Sequence, residues 1–232
     1  MIKVIAFDLD DTLWAVKPVI IRAEKRLDEW LSLTVPDLKY DVTGMRELRH
    51  ELVNREPELG KKITELRRRM IEQALRLSQI DPGRAFELSN DAIEIFLAAR
   101  NDIEMFDGAQ DAIQDLASRY ILGALTNGNA DINRLGLNHV FDFAFSAEQV
   151  GAPKPAPQLF NAALEHTRTA PHEMIYVGDD PQLDIDAAKR IGLHTIWVKN
   201  AERPGPGESR PDETIEQIGD LPAAVARLHE RS

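Results

Sequence analysis

The stretch V-I-A-F-D-L-D-D-T, residues 4–12, decides the fold, because an apolar strand runs directly into three carboxylates and a threonine. Asp8 and Asp10 are two residues apart, so in extended backbone their side chains project to the same side. Clustered like charge at the end of a buried strand is costly unless a cation neutralises it. Carboxylate oxygens are the preferred ligands of hard divalent cations, so the stretch indicates a metal site. Taken alone, it is equally consistent with a simple turn after a strand.

Three later segments follow the same pattern, each a short apolar run that ends in polar residues. Residues 120–125 lead into Thr126 and Asn127, residues 141–145 precede a loop that carries Lys154, and residues 174–177 lead into three aspartates. In parallel α/β sheets, ligands bind outside the carboxyl ends of the strands. We therefore expect one crevice that contains Asp8, Asp10, Thr126, Asn127, Lys154, Asp179 and Asp184.

Hydrophobic periodicity predicts two domains. From residue 18 to about residue 100, apolar residues recur at three- and four-residue steps, as at Val19, Ala23 and Leu27, which is typical of amphipathic helices. After residue 106, short apolar runs alternate with helical segments, which favours a parallel sheet with helices on both faces. The prediction is an α/β fold: a Rossmann-like core of residues 1–14 and 102–232, with an all-helical insertion at 15–101. A terminal helix is expected at residues 214–228.

Composition narrows the class of protein. The net charge of -11 argues against a general nucleic-acid footprint. The sequence contains no apolar stretch long enough to cross a membrane and no cysteine, so we expect a cytoplasmic protein without disulfides. We expect it to act on a small molecule, as a monomer or a weak homo-oligomer.

The ordered motifs resemble the haloacid dehalogenase superfamily of phosphohydrolases. They are D-L-D-D-T at residues 8–12, Thr126-Asn127, Lys154-Pro155, and Gly178-Asp179-Asp180 followed by Asp184. The resemblance implies that the helical insertion is that family's first type of cap. Within the superfamily, F-D-L-D-D-T-L-W, R-E-P-E and I-E-Q-A-L resemble a bacterial branch. That branch hydrolyses flavin mononucleotide and 5-amino-6-(5-phospho-D-ribitylamino)uracil.

The aspartates are expected to carry the chemistry. Asp8 is the predicted nucleophile that forms an aspartyl-phosphate, with a pure metal-ligand role as the alternative. Asp10 is the predicted general acid and base, and the resemblance implies that its backbone carbonyl binds the metal. Mg²⁺ is the expected ion, held by Asp8, Asp10, Asp179 and Asp180. Asp184 is either an outer contact of the metal or the N-cap of a helix at residues 185–191.

Three residues are expected to bind the substrate phosphate. Thr126 and Asn127 would donate hydrogen bonds to phosphoryl oxygens, although an ordinary Asn-Gly turn is the alternative. Lys154 would clamp both the phosphate and Asp8.

Substrate choice is assigned to the insertion. We expect Arg67, Arg68 or Arg69 to contact a polar substrate, although runs of charge are usually solvated helix surface. Trp14 could stack on an aromatic or sugar group, with core or hinge packing as the alternative.

The predicted function is Mg²⁺-dependent hydrolysis of small phosphate esters. Dehalogenases of this fold lack a carboxylate two residues after the nucleophile, because halide leaves without protonation, so Asp10 argues against dehalogenation. A phosphomutase and a catalytically silent metabolite-binding protein are the alternatives.

Overall fold

The structure, a computed structural model, describes residues 1–38, 42–200 and 205–231, and only the backbone of residues 42 and 43. The chain divides into two compact units, Met1–Val16 with Glu104–Ser232, and Lys17–Ile103. We refer to them as the core unit and the helical unit. That the helical unit acts as a cap stays a prediction.

The core unit is built on a six-stranded sheet in which every neighbouring pair of strands is parallel. The strand order is β3-β2-β1-β4-β5-β6. The strands are β1 (Val4–Phe7), β2 (Ile121–Thr126), β3 (Phe143–Ser146), β4 (Met174–Gly178), β5 (His194–Val198) and β6 (Glu213–Ile215). Every residue of β1 is buried, as expected for a strand covered on both faces. The predicted Rossmann-like α/β fold is confirmed.

The order in which strands are added to the sheet switches sides at β1, in the middle of the sheet. It runs outward from β1 through β2 and β3, then returns to β4 on the other side of β1 and continues outward. Ligands in open parallel sheets bind at such a switch point, outside the carboxyl ends of the strands. Asp8 follows β1 and Asp179 follows β4, so both aspartates lie at this point.

Helices cover the sheet and form the helical unit. The helical unit contains α1 (Val16–Thr34), α2 (Val42–Arg55), α3 (Ile63–Leu77) and α4 (Pro82–Arg100), with α1 starting in the core unit. The core unit contains α5 (Ala109–Ala117), α6 (Ala147–Val150), α7 (Gln158–Thr167), α8 (Ala187–Ile191) and α9 (Leu221–Arg231). In the described ranges, no helix is both long and apolar enough to span a membrane.

The prediction for the C-terminal segment was wrong at its start. The predicted helix starts at residue 214, but residues 213–215 form β6, which pairs with β5 at the edge of the sheet, and α9 starts only at Leu221. Asp212 explains the difference, because its carboxylate accepts hydrogen bonds from the Thr195 backbone N–H at 2.8 Å and from Lys189 Nζ at 2.7 Å. These contacts fix the chain beside β5 before the helix α9 begins.

A glycine in β2 makes room for an aromatic ring. Gly123 is paired with Phe143 of β3, and a Cβ atom on Gly123 would lie 2.0 Å from Cζ of that ring. Phe143 is itself buried and packs in the core cluster on this face of the sheet. The glycine is therefore required by packing and not by backbone conformation.

We expect Gly123→Ala to destabilise the protein, because the new methyl group overlaps a buried ring that cannot move freely. Overpacking of this kind costs about 1–3 kcal/mol of the free energy of unfolding. Urea unfolding monitored by circular dichroism measures the loss. Gly205→Ala is the control, since no atom of the described residues lies within 4 Å of its new Cβ. Equal stability of the two variants would contradict the packing role.

Candidate active site

The residues predicted to act together line one crevice of about 180 Å³ in the core unit. The crevice lies at the carboxyl ends of the strands, next to the switch point of the sheet. Its lining includes Asp8, Asp10, Thr126, Asn127, Lys154, Asp179, Asp180 and Asp184. The structure therefore brings these residues together, while their individual roles stay predictions.

Lys154 is the centre of the buried polar network. Its Nζ atom donates to Asp8 Oδ1 at 2.6 Å, to Asp184 Oδ1 at 2.7 Å and to the Tyr176 hydroxyl at 2.7 Å. A lysine ammonium has three donors, and these contacts match that number. The side chain is 3% exposed, so the three contacts replace hydration.

The pKa values of Asp8 and Lys154 in this network are shifted strongly from their usual ranges. Burial raises the pKa of Asp8 well above its usual range, and Asp184 and Asp179 act in the same direction, while Lys154 opposes them. Burial lowers the pKa of Lys154, but Asp184 and Asp8 outweigh it and hold that pKa above its usual value. Three carboxylates around a single ammonium favour the binding of a further cation.

The donor set fits a hard divalent cation. Asp8, Asp179 and Asp184 are buried and offer carboxylate oxygens that lie within 4.8 Å of one another. An all-oxygen set with space for water and a phosphate oxygen is what Mg²⁺ prefers. These three residues would hold the ion.

Asp180 and Asp184 both make contacts in the turn after β4, where the metal role predicted for Asp180 stays a prediction. Asp180 Oδ1 accepts from the backbone N–H groups of Gln182 and Leu183, both at 2.9 Å, and so caps a short π-helix, Pro181–Asp186. Asp184 lies inside this π-helix, and its Oδ2 accepts from the Asp180 backbone N–H at 2.9 Å. The helix-cap interpretation of Asp184 was therefore wrong, and Asp180 stands outside the group of three close carboxylates.

Asp179 is held by residues that the sequence analysis did not assign to the site. The Asn200 amide donates to Asp179 Oδ2 at 2.8 Å, and the Trp197 indole donates to the Asp179 carbonyl at 2.9 Å. The Thr12 hydroxyl lies between two carboxylates and shares its single proton between Asp179 Oδ1 at 3.3 Å and Asp8 Oδ2 at 3.4 Å. Asn200 follows the end of β5, so the rule that identified the other strand ends would have found it. Tyr176 has a weaker signal, since a phenol within an apolar strand is ordinarily core.

Asn127 supports Lys154 through its side chain. Its amide oxygen accepts from the Lys154 backbone N–H at 2.7 Å, and its amide nitrogen donates to the Lys154 carbonyl at 3.0 Å. The Asn127 side chain therefore positions the Lys154 backbone, a contact that the sequence did not indicate. Its contact with the substrate phosphate stays a prediction. The Thr126 hydroxyl accepts from the Gly128 backbone N–H at 2.9 Å, an arrangement compatible with donation of its hydrogen to a ligand.

Trp14 is fully buried, and its indole Nε1–H donates to Asp10 Oδ1 at 2.9 Å. No face of the ring is open to a ligand in this structure. The geometry therefore favours the packing alternative over the predicted stacking on a substrate.

The three consecutive arginines make different contacts within the helical unit. Arg68 donates to Glu65, Glu72 and Ser89 and is largely buried, so its guanidinium is occupied by structural partners. Arg69 pairs with Glu56 at 2.8 Å.

Arg67 differs from its two neighbours because it lines a cavity. It pairs with Glu24 at 2.7 Å and lies over the Phe96 ring, 4.0 Å from the centroid. The cavity has a volume of about 950 Å³ and is lined entirely by residues of the helical unit, including Arg46 and Arg49. The apolar part of its lining is Met45, Ile63, Leu66 and Met70.

Comparisons with known proteins agree with the geometry. The family model of haloacid dehalogenase-like hydrolases matches residues 2–192. The 5-amino-6-(5-phospho-D-ribitylamino)uracil phosphatase YigB of Escherichia coli K12 is 31% identical over 85% of this chain and 84% of its own. The phosphoserine phosphatase of Thermus thermophilus is 34% identical over 67% of this chain and 62% of its own.

A similar solved structure is named differently. The 2-haloacid dehalogenase of Pseudomonas syringae pv. Tomato DC3000 is 37% identical, with a TM-score of 0.94 over 98% of this chain and 99% of that one. The fold is therefore shared by solved structures named as a phosphatase and as dehalogenases.

We expect Mg²⁺ to raise the melting temperature of the wild type, because an ion bound by the folded state alone stabilises it by about 2.7 kcal/mol at 100 times its Kd. Asp179→Asn should lose most of this shift. Asp180→Asn should keep it, since asparagine also caps helices and this carboxylate lies outside the cluster. Differential scanning fluorimetry with and without MgCl₂ measures the shift. Equal responses of the two variants would contradict the assignment.

Proposed function

Because the chain belongs to the haloacid dehalogenase-like hydrolases, we propose that it is a Mg²⁺-dependent phosphomonoester hydrolase that acts through an aspartyl-phosphate on Asp8. The substrate class is a small phosphorylated metabolite. The similarity to proteins named as phosphatases supports phosphoryl chemistry.

One observation carries the proposal: the buried Lys154 ammonium is bonded to Asp8, next to two further carboxylates that fit a divalent cation. A dianionic phosphate needs positive charge on its oxygens and a nucleophile in line with its leaving group. Lys154 supplies a fixed cation, and Asp8 supplies a nucleophile whose position the lysine fixes. When bound, Mg²⁺ would supply further positive charge to the phosphate oxygens.

The side chains then have distinct roles in two steps. In the first, Asp8 attacks phosphorus, the bond to the ester oxygen breaks, and Asp10 protonates the departing alkoxide. In the second, Asp10 takes a proton from water, which attacks phosphorus and breaks the bond to Asp8. Lys154 and the Thr126 hydroxyl hold the phosphoryl oxygens in both steps. Asn127 acts on the reaction through Lys154, whose backbone it holds.

Dehalogenation is the second candidate, because of the similarity to the solved structure named as a 2-haloacid dehalogenase. Asp10 argues against it. An alkoxide needs a proton to leave, whereas a halide does not, so an acid at the same crevice as the nucleophile is useful for esters. Three close buried carboxylates are also more than a metal-free displacement on a carboxylate substrate requires.

The first substrates to test are flavin mononucleotide and 5-amino-6-(5-phospho-D-ribitylamino)uracil. The proposal rests on the similarity to the protein named as a phosphatase of the second compound. Both compounds combine a phosphorylated ribityl chain with a flat heteroaromatic ring.

We expect inorganic phosphate release from at least one member of a panel of phosphomonoesters. Release should need Mg²⁺ and should be abolished in Asp8→Asn, because the amide is a poor nucleophile. Malachite green detection of phosphate, with and without chelator, measures it.

The same protein, incubated with 2-haloacids, should release no halide. Halide release without phosphate release would replace the proposal with dehalogenation. Isomerised sugar phosphates without free phosphate would indicate a phosphomutase. No turnover of any compound by folded, Mg²⁺-binding protein would favour a binding role.

We also propose that Arg67 recognises a polar group of the substrate, because among the three arginines it is the one that lines the cavity of the helical unit. Arg67→Ala should raise KM by about tenfold, which corresponds to the roughly 1.4 kcal/mol lost with one charged hydrogen bond. Arg69→Ala is the matched control and should leave KM unchanged. Steady-state kinetics on the best ester measures both, and an unchanged KM in Arg67→Ala would contradict this role.

A further inference from the structure

Trp14 contacts Asp10, the residue that transfers protons in the proposed reaction. It lies four residues after Asp10 in the loop between β1 and α1, and its indole Nε1–H donates to Asp10 Oδ1 at 2.9 Å. The ring is fully buried, so this is a fixed donor inside the core unit and not a mobile surface group.

The loop that carries both residues is tightly constrained. The Asp11 backbone N–H donates to the Trp14 carbonyl at 2.7 Å, and Asp11 has a positive φ of 59°. The Asp11 carboxylate accepts from the Val16 backbone N–H at 2.9 Å, at the first residue of α1. Trp14 also forms a backbone bridge with Met105. The Trp14 backbone is thus held on both sides of the loop, and the buried indole has a defined position relative to Asp10.

An indole N–H can only donate, so Asp10 Oδ1 must be the acceptor in this contact. When Asp10 carries a proton, its carbonyl-type oxygen is the better acceptor, so the indole contact favours Oδ1 in that role and places the proton on Oδ2. The hydrogen bond therefore holds the rotation of the carboxyl group and favours Oδ2 as the oxygen that delivers the proton.

We propose that Trp14 is a positioning residue that orients Asp10 for proton transfer to the departing alkoxide. The inference rests on the proposed phosphatase function. It extends that function by predicting that hydrolysis of esters with strongly basic leaving groups depends on an indole that never touches the substrate. Oδ2–H transfers its proton to the ester oxygen as the P–O bond breaks, and Oδ2 later takes one from water.

The test uses the difference between leaving groups. An alkoxide depends on protonation, whereas p-nitrophenolate is stable enough to leave with little help. The value of kcat/KM reports the steps up to phosphorylation of Asp8, which include departure of the leaving group. Trp14→Phe keeps a buried aromatic ring and removes the N–H donor.

We expect Trp14→Phe to lower kcat/KM for an alkyl phosphate by about 10- to 100-fold, within the range of general acid catalysis. For p-nitrophenyl phosphate the decrease should stay below about threefold. Asp10→Asn should show the same selective loss to a larger extent. Trp30→Phe, which removes an indole from the helical unit, is the control and should affect neither ester.

A replacement that keeps the shape of the indole makes the test independent of packing. β-(3-Benzothienyl)alanine at position 14, introduced site-specifically, retains the fused rings and replaces N–H by sulfur, so it should reproduce the selective loss. The Mg²⁺-dependent rise in melting temperature should persist in both variants.

Equal decreases for the two esters, or no decrease with the sulfur isostere, would overturn the positioning role while leaving the phosphatase function intact. If the wild type releases phosphate from neither ester, the phosphatase function itself fails, and this inference fails with it.

Discussion

The candidate site depends on the burial of one ammonium group among carboxylates. Lys154 reaches its position from the loop between α6 and α7, while Asp8 follows β1 and Asp184 lies in the π-helix after β4. Removing Lys154 would leave the buried carboxylates without their cation, which typically costs about 3–5 kcal/mol of the free energy of unfolding. The ion pairs therefore tie three separate parts of the chain to one point. Asn127 reinforces this point because it holds the backbone of the lysine through two hydrogen bonds.

The same carboxylates are balanced between two demands. In the folded protein, Lys154 neutralises part of the charge of these carboxylates. The proposed phosphoryl transfer needs a bound cation and an ionised Asp8 at the same position. Burial raises the pKa of Asp8, so a nucleophilic carboxylate here depends on the positive charge gathered around it. Thr12, Trp197 and Asn200 hold Asp179 in place, and their contacts keep that aspartate directed towards the cluster.

The sequence predicted the site residues that lie near the ends of strands. It did not predict the contacts that depend on the orientation of individual side chains. Asp8, Thr126, Lys154 and Asp179 were found because parallel strands bring their carboxyl ends to one edge of the sheet. The roles of Asp180 and Asp184 were not predictable, since a π-helix shifts which carboxylate caps and which points inward. Likewise, the predicted terminal helix overlaps β6, because the three residues of this strand are too few to show a strand pattern.

The position of β1 in the sheet has a consequence for the order in which the chain can fold. Its two neighbours, β2 and β4, lie more than a hundred residues later in the sequence. The candidate site at Asp8 therefore cannot be completed until the last third of the chain has been synthesised. The helical unit, by contrast, is a single continuous segment, Lys17–Ile103, in the first half of the chain. During synthesis, the whole helical unit therefore leaves the ribosome before β1 can pair with β2 and β4. Pairings between such distant strands carry a large loop-closure entropy and form late.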